Sequence, residues 1–194
     1  MPLSPPAARR HLHTRHIDLR GYERDDGCID VEAHLTDTRS FSSLRQDGTP
    51  REAGENLHDM WMRMTINTDR EITGCEATME STPFAICPSV APNFGRLVGL
   101  RIEGGFLKRA MERVGGAEGC THLRELLQQV GTVFVQTFYS IGKLSDEPAQ
   151  IGDRPPPLLN SCYAWGEAGP VVAAKFPAWH KPKLDADSTA GESR

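Results

Sequence analysis

Two stretches of the chain alternate apolar and polar residues with the period of a β-strand. From Gly27 to Asp37, Ile29, Val31, Ala33 and Leu35 fall on one side, and Asp30, Glu32, His34 and Thr36 on the other. From His58 to Asn67, His58, Met60, Met62, Met64 and Ile66 share one face, and Asp59, Trp61, Arg63 and Thr65 the other. Each has a partner beside it. Ile17 to Glu23 leads through Asp25-Asp26-Gly27 into the first, and residues 71 to 80 can fold back on the second across Asn67 to Arg70. Two hairpins predict an antiparallel sheet. The polar run from Ser40 to Glu55, with Asp47-Gly48-Thr49-Pro50 at its centre, predicts a loop between them.

The second half changes period. Phe106, Ala110, Met111 and Val114 predict a short amphipathic helix stopped by Gly115-Gly116. Leu123, Leu126, Leu127, Val130, Val133, Phe134, Thr137, Phe138 and Ile141 trace one broad stripe, predicting a long helix over 121–141 with Thr121 as N-cap. Pro83, Pro88 and Pro92 make the stretch around Phe84 to Phe94 extended or turning rather than helical. Leu158 to Pro177 reads as a short hairpin around Glu167-Ala168-Gly169. The fold class is therefore α+β, an antiparallel sheet from the N-terminal half packed against a long helix of the C-terminal half. One domain over 14–182 is expected, between flexible tails at 1–13 and 183–194 that are short of apolar residues.

Composition narrows the partners. Of 194 residues, 22 are Lys or Arg and 26 Asp or Glu, and no basic run exceeds Arg9-Arg10, so nucleic acid is not an expected partner. No stretch approaches the roughly 18 apolar residues of a membrane span. The start of the chain lacks the apolar core of a secretory signal, which makes a cytoplasmic protein the expectation. Five cysteines at wide spacing, without a CxxC, support neither a disulfide framework nor a structural zinc site.

Candidate chemistry centres on the histidines. His122, at the start of the long helix, faces the positive end of the helix dipole and is biased toward the neutral, proton-accepting form; capping is its bland alternative. His58 shares its face with methionines, which suits a core histidine as well as a base in an adaptable pocket that includes Met60 and Met62. Glu32 and His34 would project together about 7 Å apart, close enough for a carboxylate to orient an imidazole. Trp61 and Arg63 could stack on a ring and clamp a carboxylate, or form a cation–π pair on a solvated face. His34, His58 and His122 form no HxH or HExxH, and GxGxxG, P-loop and GxSxG signatures are absent, so no cofactor or metal is expected.

Several blocks carry a resemblance: GYERDDG (21–27), EAHLTDT (32–38), AGENLHDMWMRMT (53–65), RLVGLRI (96–102), GCTHLREL (119–126) and LNSCYA (159–164). In this order, over about residues 10 to 180, they resemble the bacterial "domain of unknown function 2889" family. The resemblance implies a bacterium that catabolises aromatic compounds. It further implies a cofactor-independent lyase of the kind that removes a hydroxymethyl group from lignin-type (phenylcoumaran) dimers as formaldehyde. Such retro-aldol-like cleavage needs a neutral base, a group to stabilise the departing aryl oxide, and an aromatic-lined pocket. On this reading His58 or His122 is the base, Tyr22 or Arg24 the acid or charge stabiliser, and His34 with Glu32 a supporting pair. Trp61, Arg63, Met60 and Met62 would bind a small aromatic substrate. A non-catalytic aromatic-binding protein and a metal-assisted hydrolase are the rivals, and a homodimer is the expected assembly.

Overall fold

The computed structural model describes residues 3–144 and 153–182; the expected C-terminal tail lies outside them. The chain divides into two compact units, Met1–Phe138 and Tyr139–Arg194. In the first, a four-stranded antiparallel sheet has the order β1-β2-β5-β6, with β1 His13–Glu23, β2 Ile29–Arg39, β5 Asn56–Ile66 and β6 Ile72–Ser81. Both hairpins form where the sequence reading put them. Arg24 to Cys28 closes one, with Gly27 at a φ of 80°, and Asn67 to Glu71 closes the other.

The inner face of the sheet is the core. Ile29, Val31, Ala33, Leu35, Met60, Met62, Met64 and Ile66 are all 0–2 % exposed. Helix α2, Thr121–Ser140, packs on this face with Leu123, Leu126, Leu127, Val130 and Phe134 fully buried. It comes close to β1 at Gly21, where an added Cβ would lie 2.0 Å from Thr137 Oγ1. Only glycine allows helix and strand to come so near. Helix α1, Phe106–Val114, buries Phe106, Ala110 and Val114 as the spacing predicts.

β5 departs from strict alternation once. Asp37 pairs with His58 and Thr38 with Asn56, leaving Leu57 as an extra residue. Leu57 and His58 are consecutive and both buried, the mark of a β-bulge.

Three expectations are corrected. The 40–55 loop carries a small ribbon, β3 Ser43–Leu44 paired with β4 Pro50–Arg51, turned by Asp47, which accepts hydrogen bonds from the Thr49 amide and hydroxyl. The proline-rich segment is not extended. Cys87–Leu97 coils into 3-10 turns that bury Ala91, Phe94 and Leu97, because proline fits the first turn of such a helix and the apolar residues can then point one way. In the second unit the expected hairpin is replaced by turns and a helix, α3 Pro170–Lys175. Pro170 is preorganised for its first turn, Val172 is buried, and Trp165 and Phe176 sit 6.1 Å apart.

Candidate functional site

Parity along the strands builds the site. Residues 29, 31, 33 and 35 of β2 face the core, so Asp37 does too. On β1, Arg15 is the cross-strand partner of Asp37 and shares its face. On β5, His58 is the cross-strand partner of Asp37, in step with Met60, Met62 and Met64, and shares that face too. A buried carboxylate thus stands where β1, β2 and β5 meet under the first turn of α2.

Asp37 is fully buried and fully engaged. Arg15 donates from Nε to Oδ1 at 2.8 Å and from a terminal nitrogen to Oδ2 at 2.8 Å. His13 Nε2 lies 3.0 Å from Oδ1, and His58 Nδ1 2.8 Å from Oδ2. Burial alone would push the carboxyl up. The hydrogen bonds from Arg15, His13 and His58, with the charge of Arg15, outweigh it and hold Asp37 ionised well below the usual carboxylate range. Glu125 of α2 binds the far side of the Arg15 guanidinium.

The imidazoles of His58 and His122 lie ring to ring, with centroids 3.8 Å apart at 36°. Burial, then the neighbouring His122, keep His58 below its ordinary pKa against the pull of Asp37. Burial, then the Arg15 charge, do the same for His122. Both are therefore neutral at pH 7. The carboxylate fixes the tautomer of His58: Nδ1–H donates to Asp37, leaving Nε2 as the acceptor nitrogen. His122 has Nε2 3.9 Å from Asp37 Oδ2 and Nδ1 3.8 Å from the Cys120 sulfur. The cluster opens on the side of His13 and Arg15, whose side chains are 46 % and 32 % exposed.

Of the residues singled out in the sequence, His58 and His122 come together. His122 stands one position deeper in the helix than expected, since the Cys120 carbonyl accepts from the Arg124 amide and Cys120, rather than Thr121, caps α2. Met60 is buried beside Cys120, with the two sulfurs 4.0 Å apart, whereas Met62 belongs to the core. His34, Glu32, Trp61 and Arg63 lie on the opposite face of the sheet. There His34 Nε2 meets Asp59 Oδ1 at 2.8 Å and its ring stacks on Trp61 at 3.7 Å. Glu32 instead pairs with Arg63, which also binds Glu76. A shallow groove of about 200 Å³ runs between Trp61, Arg63, Glu76 and Thr78. Tyr22 and Arg24 are at the other end of β1, roughly 23 Å of strand from Arg15. Tyr22 is exposed and Arg24 is held by Asp26 and Asp30, so neither reaches the two histidines.

Asp37, Arg15 and His13 escape a motif search because no two adjacent residues announce them. The signal present was parity: an aspartate in step with four core residues of β2, and an arginine in step with Ile17 and Leu19 of β1.

A divalent ion is a conceivable occupant, because Asp37, His58 and His122 each offer one ligand atom within 4.8 Å of the others. The donor set argues for proton transfer instead. Both oxygens of Asp37 already accept from Arg15, one more bond comes to each from a histidine, and a guanidinium beside the carboxylate opposes a second positive charge.

No curated protein and no solved structure matches the chain. A family model does match, over residues 13–136, which covers the whole sheet, the Asp37 cluster and most of α2, and leaves the block at 159–164 outside. On that match, the chain belongs to the family described as protein of unknown function (DUF2889).

Proposed function

We propose that the protein is a cofactor-independent lyase acting on small hydroxymethyl-bearing aromatic compounds, with the Asp37–His58 pair as its general base. The supporting observation is the 2.8 Å hydrogen bond from His58 Nδ1 to a buried carboxylate, beside an imidazole kept neutral by burial. Such a pair holds one ring nitrogen as donor and the other as acceptor, which is what abstraction of an alcohol proton requires.

His58 Nε2 takes the hydroxyl proton of the substrate's primary alcohol. The oxygen's electrons form the carbonyl of formaldehyde as the adjacent carbon–carbon bond breaks. The electrons of that bond become the new double bond, and the aryl ether oxygen leaves as phenolate. The proton on His58 returns to the phenolate, directly or through His122, whose ring lies against it. Arg15, at the open side of the cluster, is the nearest fixed positive charge for the developing oxyanion.

The test is formaldehyde release from hydroxymethyl-bearing lignin-derived dimers by wild type, His58→Ala and His122→Ala, with a chelator present. Release that survives chelation and falls at least about 100-fold in His58→Ala is expected. Release abolished by the chelator would assign the site to metal-assisted chemistry. Aromatic binding without release in any variant would make the protein a binding module.

A further inference from the structure

Cys120 is a polar group of the cluster for which the proposed lyase step has no use. It caps a 20-residue helix, the residue is half-buried, and its sulfur lies 3.8 Å from His122 Nδ1. On the far side of the same ring, Nε2 lies 3.9 Å from Asp37 Oδ2. A carboxylate beside Nε2 favours the tautomer with its proton there, which leaves the Nδ1 lone pair aimed at the thiol. Thiol, imidazole and buried carboxylate thus run in one line, in the order of nucleophile, proton acceptor and orienting group. The other groups around that line are His58, stacked on His122, Met60 against the sulfur, and Arg15 and Glu125 beyond the carboxylate.

Cys28, Cys75 and Cys162 lack these features. Burial pushes the Cys75 thiol up to about 12, and burial with nearby Asp26 raises that of Cys28. Cys162 is exposed, in the second unit.

We propose that Cys120 is a nucleophile that adds reversibly to a small aldehyde. The sulfur bonds to the carbonyl carbon and the carbon–oxygen π bond breaks. The thiol proton passes through His122 Nδ1 to the new alkoxide, giving a hydroxyalkyl thioether. Nothing is oxidised or reduced. The choice of an aldehyde rests on the proposed lyase reading, in which formaldehyde is released within reach of this thiol; the nucleophilicity rests on the geometry alone.

Alkylation by iodoacetamide at pH 7, mapped by mass spectrometry with a chelator present, reads both parts without any turnover assay. Cys120 is expected to react at least about tenfold faster than Cys162, and His122→Gln to remove that advantage. Prior incubation with formaldehyde is expected to slow Cys120 and leave Cys162 unchanged. Equal rates at the two cysteines, or a rate at Cys120 indifferent to His122→Gln, would overturn the nucleophile. Fast alkylation without protection by formaldehyde would overturn the aldehyde. Should His122→Gln unfold, shown by all five cysteines accelerating together, the wild-type rate of Cys120 against Cys162 and its protection by formaldehyde decide.

Discussion

Most of the electrostatics at the Asp37 cluster is decided by one atom group, the Asp37 carboxylate, and its removal has two separable effects. Asp37→Asn keeps the volume but takes away the charge that Arg15, His13 and His58 share. A loss of about 2–3 kcal/mol in urea unfolding at pH 7 is expected, below the cost for a wholly buried pair because Arg15 is a third exposed. The pH dependence has a definite sign. His58 and His122 bind protons less readily when folded than the ordinary 6.5, so the unfolded chain takes up more protons below that value, and stability falls as the pH drops through it. Asp37, held below its ordinary 3.8, contributes fully above that value and loses its contribution only as the pH falls toward its depressed value. Urea midpoints from pH 7.5 to 3 should therefore decline in two stages. His58→Gln should reduce the upper stage, leaving the share that His122 contributes.

At the scale of elements, the sequence was most legible where period and burial agree. The alternation in β2 and β5 fixed the sheet, and the stripe from Leu123 to Phe138 fixed α2. It was least legible where sterics or bulges intervene. The turns of Cys87–Leu97 satisfy their prolines by a helix type that periodicity does not announce. His58 was found, but its carboxylate was not, since Asp37 and His58 meet only across strands. The same limit put His34 with Glu32, when the open face pairs it with Asp59 and Trp61. The contact between Gly21 and Thr137 is a stringent check on the packing of β1 against α2. Gly21→Ala should cost about 1–3 kcal/mol by overpacking, measured by thermal or urea unfolding. Gly21→Ala with Thr137→Ala should recover much of that loss, because the hydroxyl that meets the new methyl has gone.

On the scale of the whole molecule, the family match at 13–136 falls inside the first compact unit, Met1–Phe138, together with every residue of the Asp37 cluster. A chain ending at residue 141, past the last turn of α2, should therefore keep the sheet and the paired histidines. Far-UV circular dichroism and a single cooperative urea transition would check the fold. Retention of the histidine signals with low pKa in a proton NMR titration would check the site. A non-cooperative transition would show instead that 14–182 is one indivisible domain.

The extra residue at Leu57 has a consequence for how such a protein can change over generations. A bulge adds a residue to one strand without shifting the pairing beyond it. The ladder downstream, from His58 to Ile66, is set by its pairing with β2 and is indifferent to how many residues precede it. Insertions and deletions in the 40–55 segment can accordingly accumulate without rotating His58 away from Asp37. Relatives should then vary freely in the length of that segment, while the spacing between the aspartate's partner histidine and the following methionines stays fixed. The site is insulated from drift by a single unpaired leucine.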